Sequence, residues 1–247
     1  MLFRSNHDVE PGHYVYDRVA NELDMPYLAA NAIDVRTNEP YFEPYTIVHK
    51  NGVKIAVIGM TNPNIPQWLA HDLWKNIEFK EIVPQLQYWV DKVRKKEKPH
   101  LVIAAMHAGL GKEDKDDIEN PSRYIAKNVE GIDIVFAAHD HQVVAESYNN
   151  NGKEVWLLEG GSRGAAVSKA TIELDVKEGK IVSKHIAGET IAMEGVEPDA
   201  EYMDAFREDF LTVKKFTNRP VGMLNNDIDS RDSYFGPSEY VDMVHTL

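Results

Sequence analysis

The hydrophobic pattern predicts an α/β fold over the first half of the chain. Residues 101–106 and 132–137 are unbroken apolar runs rich in β-branched side chains, which are typical of strands covered on both faces of a sheet. Apolar positions recur at helical spacing over 14–24 and 80–97, and a shorter helix is predicted from Pro121 to about residue 128. This alternation predicts a sheet with helices packed on it.

The segments between these elements carry turn residues. Lys50-Asn51-Gly52 is predicted to join two strands as a hairpin. Gly59 ends the second strand, and this small residue is expected to let the chain clear a ligand site at the end of the sheet. The polar loop over 109–120 fits a mobile wall of an active site. Further predicted elements are strands at 27–30, 45–49 and 53–59 and a short helix at 68–74.

After residue 142, apolar and polar positions alternate, which predicts an antiparallel, half-exposed sheet. Its strands are predicted over 143–148, 155–158, 166–176 and 180–194. A charged amphipathic helix follows over 199–216, and then a strand over 221–228 and a helix from Pro237. The predicted organisation is a domain over 1–195, a connecting helix over 196–218 and the beginning of a second domain over 219–247.

Composition limits the functions that are open to the chain. Its 247 residues are 43% hydrophobic, enough for a substantial core, and no apolar run reaches the roughly 18 residues of a membrane span. A net charge of −13 argues against binding to nucleic acid, because polyanions are held by clustered Lys and Arg. The absence of Cys leaves His, Asn and carboxylates as candidate metal ligands. The N-terminus shows no apolar signal-peptide core.

Histidines follow the predicted strands at the points where the apolar runs end. His107 follows the first run, His139-Asp140-His141 follows the second, and Asn6-His7 stands in the first turn of the chain. The carboxyl ends of neighbouring strands share one crevice, where α/β sheets bind ligands. Imidazole and amide groups bind divalent transition metals. A single His at a strand end is more often a polar cap, but three motifs together indicate a metal site.

These motifs resemble a known family. Asn6-His7-Asp8, His107 and His139-Asp140-His141 look like the back half of the calcineurin-like metallophosphoesterase signature, D-x-H, G-D, G-N-H-[DE], H and G-H-x-H. The closer likeness is to 5′-nucleotidases and 2′,3′-cyclic-nucleotide 2′-phosphodiesterases, which have segments like Glu159-Gly160-Gly161-Ser162-Arg163-Gly164 and Ser230-Arg231-Asp232-Ser233-Tyr234-Phe235-Gly236-Pro237. The resemblance implies an α/β fold of metallophosphoesterase type, a layered β-sandwich flanked by helices, followed by the start of a second domain.

Two motifs of the family have no counterpart here. D-x-H and G-D would precede Asn6, where only a few residues stand. We therefore expect the chain to be N-terminally incomplete and to end within the first helix of the second domain.

The resemblance implies two divalent metal ions in the complete protein, with Mn, Zn, Mg, Fe and Ca left open. Asn6 would offer its side-chain carbonyl to the second metal, and His107 and His139 would complete the ligands of that metal on this chain. His141 would bind the first metal. Asp8 and Asp140 correspond to positions that do not bind metal in the family.

The resemblance gives other residues catalytic or substrate-binding roles. His7 would lie near the phosphate, stabilise the developing charge and help to protonate the leaving oxygen. Glu10 stands where the nucleotidase branch often has an Asp that orients this imidazole. Arg163 is equally suited to a phosphate contact and to stabilising its turn. Ala138 stands where the family usually has Gly before His139; either the methyl group is tolerated there or the strand exits slightly differently.

The mechanism implied is two-metal hydrolysis of a nucleotide phosphate ester. Two cations side by side repel, and the family offsets this repulsion with carboxylates of the D-x-H and G-D motifs. We therefore hypothesise that this chain alone holds at most one metal, weakly, and is inactive. By resemblance, the complete protein would be periplasmic, on the cell surface or secreted; its oligomeric state is left open.

Two other classes of protein are alternatives for this sequence. The first is a non-catalytic relic or binding module that keeps the fold, which the joint presence of His107, His139 and His141 argues against. The second is a hydrolase like the metallo-β-lactamases, which needs H-x-H-x-D-H in one run; here His141 is followed by Gln142-Val143-Val144.

Overall fold

The computed structural model describes residues 2–3, 5–178, 180–225 and 227–246. They form two compact units, residues 1–194 and residues 195–247. The strands are β1 Leu2–Phe3, β2 Tyr27–Leu28, β3 Ala32–Asp34, β4 Glu39–Pro40, β5 Tyr45–Lys50, β6 Val53–Met60, β7 Ile77–Phe79, β8 Leu101–Met106, β9 Ile134–Phe136, β10 Val143–Asn150, β11 Lys153–Gly160, β12 Ala166–Lys177 and β13 Lys180–Ala192. The α-helices are α1 His13–Glu22, α2 Ile65–Trp68, α3 Ile82–Glu97, α4 Ser122–Asn128, α5 Ala200–Ala205, α6 Arg207–Thr217 and α7 Glu239–Thr246.

A mixed sheet with the strand order β10-β11-β9-β8-β6-β5 forms the centre of the first unit. The inner pairs are parallel, and the edge pairs β5–β6 and β10–β11 are antiparallel hairpins. β8 and β9 are neighbours in register, with Ala105 opposite Phe136. The residues that follow these two strands therefore emerge side by side at one edge of the sheet.

The two faces of this sheet are covered differently. On one face, the apolar stripe of α3 packs with α4 against alternate side chains of the sheet, such as Val102, Ala104 and Met106. On the other face, the long β12–β13 hairpin contributes Ile186 to a cluster with Leu101 and other sheet residues. The result is a layered α/β arrangement in which the buried strands are apolar on both sides, as their sequences predict.

One group of strands differs from the prediction. β10 and β11 do not form a separate antiparallel sheet, because β11 pairs in parallel with β9 within the main sheet. The prediction was wrong here because Leu157 and Leu158 are both buried, which breaks the alternation. Within the β12–β13 hairpin, β12 does alternate in exposure along its length, as predicted. The indole N–H of Trp156 donates to the Ile186 carbonyl at 2.7 Å and joins hairpin to sheet.

Most predictions of single helices and turns in this unit are confirmed, and two are corrected. The hairpin at residues 50–52, α1, α3 and α4 lie where the sequence predicts them. The short helix predicted over 68–74 is instead α2, followed by a 3-10 turn at His71–Leu73. Gly59 does not clear the site: a Cβ there would lie 2.3 Å from the Leu28 Cβ, so the glycine permits β2 to approach β6.

The second unit consists of α5, α6, a 3-10 helix at Ser230–Phe235 and α7. The helix predicted over 199–216 is interrupted at Phe206, which closes α5 and caps α6. The strand predicted over 221–228 is wrong, because its described residues have no regular structure and pair with no described strand. An apolar run needs a partner strand to become part of a sheet. No helix in the described ranges combines the length and apolarity needed to cross a membrane.

Candidate metal centre

The carboxyl ends of β8 and β9 bring two of the predicted histidines together with Asn6. The Oδ1 atom of Asn6 lies 2.9 Å from Nε2 of His107, and Nδ1 of His139 lies 3.3 Å from the same Nε2. Ligand atoms about 2.0–2.2 Å from a shared divalent cation are themselves separated by roughly 2.9–3.4 Å. Both distances to His107 Nε2 therefore match the spacing of ligands to one cation.

Asn6 is held by a tight turn at the start of the chain. It opens the 3-10 helix Asn6–Asp8, in which the His7 N–H donates to Ser5 Oγ at 3.2 Å. The Ser5 N–H in turn donates to Asp8 Oδ2 at 2.8 Å, which completes a capping box. Asp8 thus stabilises the turn through its side chain, and Ser5 Oγ lies 3.3 Å from His107 Nε2.

The turn after β9 has unusual backbone geometry at both histidines. His139 has φ 104° and His141 has φ 61°, a region that residues with a Cβ rarely adopt. Backbone strain of this kind persists where the surrounding structure enforces it, often at functional sites. Ala138 has no positive φ, so its methyl group fits where the family usually has Gly. The His141 residue is exposed, and no hydrogen bond joins its side chain to the other site residues that the structure describes.

The His107 imidazole is strongly biased towards its neutral form. Burial, with a smaller contribution from repulsion by three neighbouring histidines, lowers its pKa to about 3. These neighbours are His139, His7 and His141. Metals bind the neutral imidazole, so His107 is held in the form that can act as a ligand.

The two predicted catalytic residues are joined to each other. Nδ1 of His7 lies 2.6 Å from Oε1 of Glu10, and both side chains are exposed. The additional methylene of Glu relative to Asp therefore does not prevent this contact. Arg163 lies in the turn between β11 and β12 with φ 55°, exposed and without an ion pair to any described residue. The Gly161 N–H of the same turn donates to the Gln142 carbonyl at 2.8 Å, beside His141.

A pair of carboxyl groups lies behind the histidine turn. Asp140 Oδ2 accepts from the Leu110 N–H at 2.9 Å, and Glu159 Oε1 accepts from the Gln142 N–H at 3.1 Å. Burial, with a smaller contribution from the neighbouring Asp140, raises the pKa of Glu159 to about 8. Both carboxyl groups therefore hold backbone of the site in place.

Two site neighbours were missed by sequence reasoning. Glu119 Oε1 lies 3.0 Å from Nε2 of His139, and the Trp68 ring stacks on the His139 ring at 5.4 Å between centroids. Trp68 is 40% exposed despite this stacking. Glu119 had no distinguishing signal among 40 acidic residues except its place in the loop that follows His107.

The donor set fits one divalent cation and carries no negative charge. In the part of the chain that the structure describes, no three His, Asp or Glu side chains form a cluster that could hold a metal. The third donor of the group is the neutral amide of Asn6. One amide oxygen and two imidazole nitrogens are nevertheless ordinary ligands for Zn²⁺ and similar ions.

Proteins similar to this chain are named as nucleotide hydrolases. A 2′,3′-cyclic-nucleotide 2′-phosphodiesterase/3′-nucleotidase of Yersinia enterocolitica is 29% identical over 147 residues, which are 56% of this chain and 22% of that protein. A 5′-nucleotidase of Vibrio cholerae is 28% identical over 144 residues, which are 56% of this chain and 26% of that protein. Over about half of its length, the chain is therefore similar to 5′-nucleotidases and 2′,3′-cyclic-nucleotide phosphodiesterases. No family model matches it.

Two solved structures share the fold of this chain. The calcineurin-like phosphoesterase YfkN from Bacillus subtilis superposes with a TM-score of 0.74 at 21% identity, covering 87% of this chain and 70% of its own. The 5′-nucleotidase precursor from Thermus thermophilus gives 0.71 at 16% identity, covering 91% and 45%. The predicted metallophosphoesterase-type fold is therefore confirmed. The chain spans about a quarter of the length of the two curated relatives above.

Proposed function

We propose that this chain carries part of the active site of a metal-dependent phosphoesterase that hydrolyses nucleotides. The activity would be that of a 5′-nucleotidase or of a 2′,3′-cyclic phosphodiesterase with 3′-nucleotidase activity, the names its relatives carry. The observation that carries the proposal is the approach of Asn6 Oδ1 and His139 Nδ1 to within 3.3 Å of His107 Nε2. For the complete protein, the proposal includes a periplasmic, cell-surface or secreted location.

Asn6, His107 and His139 would hold one divalent cation, and His141 would contribute to a second. Bound cations of this kind supply Lewis acidity towards phosphate oxygens and acidify water at neutral pH. The low pKa of His107 supports its role as a metal ligand, because the neutral imidazole can bind a cation without first losing a proton. Mn²⁺, Zn²⁺, Mg²⁺, Fe and Ca²⁺ all remain candidates.

His7 and Glu10 would handle the proton of the leaving group. Glu10 accepts from Nδ1 of His7 at 2.6 Å, which leaves Nε2 of the exposed ring available to substrate. His7 would then stabilise negative charge on the phosphate and give a proton to the ester oxygen. Arg163, in the turn that contacts Gln142, would bind a phosphate oxygen.

The chain by itself would hold at most one cation, weakly, and would be inactive. Its three convergent donors are all neutral, so nothing in this group offsets the repulsion between two adjacent divalent cations. Equal turnover by this chain and by a longer reading frame that contains it would contradict this statement.

The proposal is tested by metal titration and by hydrolysis assays with His139→Ala as the comparison. Calorimetry with Zn²⁺ or Mn²⁺ is expected to show one site in the wild type and loss of it in the variant. A panel of 5′-nucleotides and 2′,3′-cyclic nucleotides, assayed with Mn²⁺, Zn²⁺ or Mg²⁺, is expected to show turnover in the longer protein that His139→Ala abolishes. Unchanged turnover in the variant would refute the assignment.

A binding module without catalysis is the second candidate. It is favoured by one observation, the absence of a cluster of three or more His, Asp or Glu among the described residues. The same experiments separate the two candidates. A module would bind metal or nucleotide yet show no turnover in any reading frame.

A further inference from the structure

Glu119 contacts His139 on the side of the ring that faces away from the convergent donor atoms. Its Oε1 atom lies 3.0 Å from Nε2 of His139, the ring nitrogen opposite the one that faces His107. The His139 side chain is only 17% exposed, so this contact lies at the margin of the interior. Glu119 therefore touches His139 without joining the group of convergent donors.

Two buried amides hold Glu119 in position. Nδ2 of Asn64 donates to Glu119 Oε2 at 3.2 Å, and Nδ2 of Asn62 donates to the Glu119 carbonyl at 3.1 Å. Oδ1 of Asn62 also accepts from the Asn64 N–H at 3.0 Å, which ties the two amides together. Asn62 and Asn64 are buried, so the carboxylate is fixed at its side chain and at its backbone. An adventitious surface ion pair would lack this support.

The contact determines which nitrogen of His139 carries the proton. A neutral imidazole has one N–H donor and one acceptor nitrogen, and an ionised carboxylate can only accept. With Glu119 at Nε2, the proton resides on Nε2 and the lone pair of Nδ1 points to His107 and Asn6. Trp68 stacks on the same ring at an angle of 22°, which limits its rotation.

We propose that Glu119 is a positioning residue that fixes the tautomer of His139, so that Nδ1 presents its lone pair to the metal centre. The proposal rests on the proposed function, because it assigns Glu119 a purpose in metal binding. Carboxylates that accept the second N–H of a ligating His raise the basicity of the imidazole and fix its ring, and their removal typically weakens metal binding about 10–100-fold.

The test compares Glu119→Ala with Glu113→Ala. Glu113 lies in the same loop and pairs with Lys127, and among the described residues it has no hydrogen bond or ion pair to a site residue, so its variant removes an equal charge. Zn²⁺ affinity is measured by competition with a chromogenic chelator, and the ring ¹⁵N shifts of His139 are recorded in the metal-free protein, assigned with His139→Ala. We expect Glu119→Ala to weaken Zn²⁺ binding about 10–100-fold and to shift the ring towards a mixture of tautomers, with Glu113→Ala unchanged.

Glu119→Gln guards against a Glu119→Ala protein that fails to fold. Its amide has one acceptor oxygen for two donors, Nδ2 of Asn64 and Nε2–H of His139, so it is expected to weaken both the Nε2–H preference and Zn²⁺ binding, by less than Glu119→Ala. An unchanged tautomer and unchanged Zn²⁺ affinity in Glu119→Ala, beside loss of binding in His139→Ala, would overturn the positioning role and leave the proposed function intact. A wild type that binds no Zn²⁺ would overturn the proposed function, while the metal-free tautomer would still decide the local role of Glu119.

Discussion

Helices α3 and α6 are equally amphipathic by sequence, yet the apolar face of α3 is buried and that of α6 is exposed. α3 buries five apolar side chains against the main sheet: Ile82, Leu86, Trp89, Val90 and Val93. α6 buries none, and its Phe210 and Phe216 are 62% and 74% exposed. The periodicity of apolar residues specifies a helix with an apolar face, while burial of that face depends on the surface that another element supplies.

The same contrast separates the two units at the level of function. In the first unit, the sheet that covers α3 also aligns β8 and β9, and this alignment brings His107 and His139 together. The described part of the second unit has helices without a sheet, and its Ser230–Phe235 motif lies in an exposed 3-10 helix. A packed sheet is therefore what converts separate motifs into a site.

The largest expected effect comes from Leu86→Ala in α3. Leu86 is fully buried in the main core, and its truncation leaves a cavity as well as lost apolar contact. We expect the free energy of unfolding to fall by about 2–5 kcal/mol. Urea denaturation followed by circular dichroism measures it. A loss below about 0.5 kcal/mol would show that α3 is not part of the core.

A smaller loss is expected from Gly109→Ala beside the site. A Cβ at this position would lie 2.3 Å from Asn120 Oδ1 and 2.7 Å from Asp140 Cγ, so neighbouring groups must move. Overpacking of this kind costs about 1–3 kcal/mol. The matched control is Gly222→Ala in the second unit, where nothing lies within 4 Å and no change in the urea midpoint is expected. Equal stability of the two variants would contradict the crowding at Gly109.

Glu159 gives a prediction about pH. Its folded pKa of about 8 exceeds the ordinary value of 4.5, so the folded chain keeps a proton that the unfolded chain loses between these pH values. The free energy of unfolding should therefore fall as pH rises from about 4.5 to 8, by on the order of 1 kcal/mol or more. Glu159→Gln stays neutral and should lose this part of the slope. The measurement is urea denaturation of both metal-free proteins across this pH range. If the inference is wrong, the free energy of unfolding will depend on pH in the same way in the wild type and in Glu159→Gln.

The smallest effect is expected from Leu211→Ala in α6, the counterpart of Leu86→Ala. Leu211 is 49% exposed, and its helix buries no side chain. We expect a change within about 0.5 kcal/mol in the same urea experiment. A loss comparable to that of Leu86→Ala would show that this face is covered in solution, and the contrast between α3 and α6 would disappear.

Much of the site was accessible from sequence because strand ends and imidazoles are both visible in it. The runs before His107 and His139 predict adjacent strands, and adjacent parallel strands place their following residues side by side. Glu119 and Trp68 were not predicted, because their contact with His139 crosses between loops with no fixed sequence spacing. The strand predicted over 221–228 failed for a related reason, since its apolar pattern says nothing about a partner.

By itself, the sequence determined the helices α1, α3 and α4, the buried strands β8 and β9, and the histidines that follow them. These features depend on local periodicity and on turn residues, which act over a few positions along the chain. The tertiary structure alone decided that β11 joins the main sheet, that the imidazole of His107 stays neutral and that Glu119 reaches His139. Each depends on distances between residues far apart in the chain, where packing and desolvation set the energies.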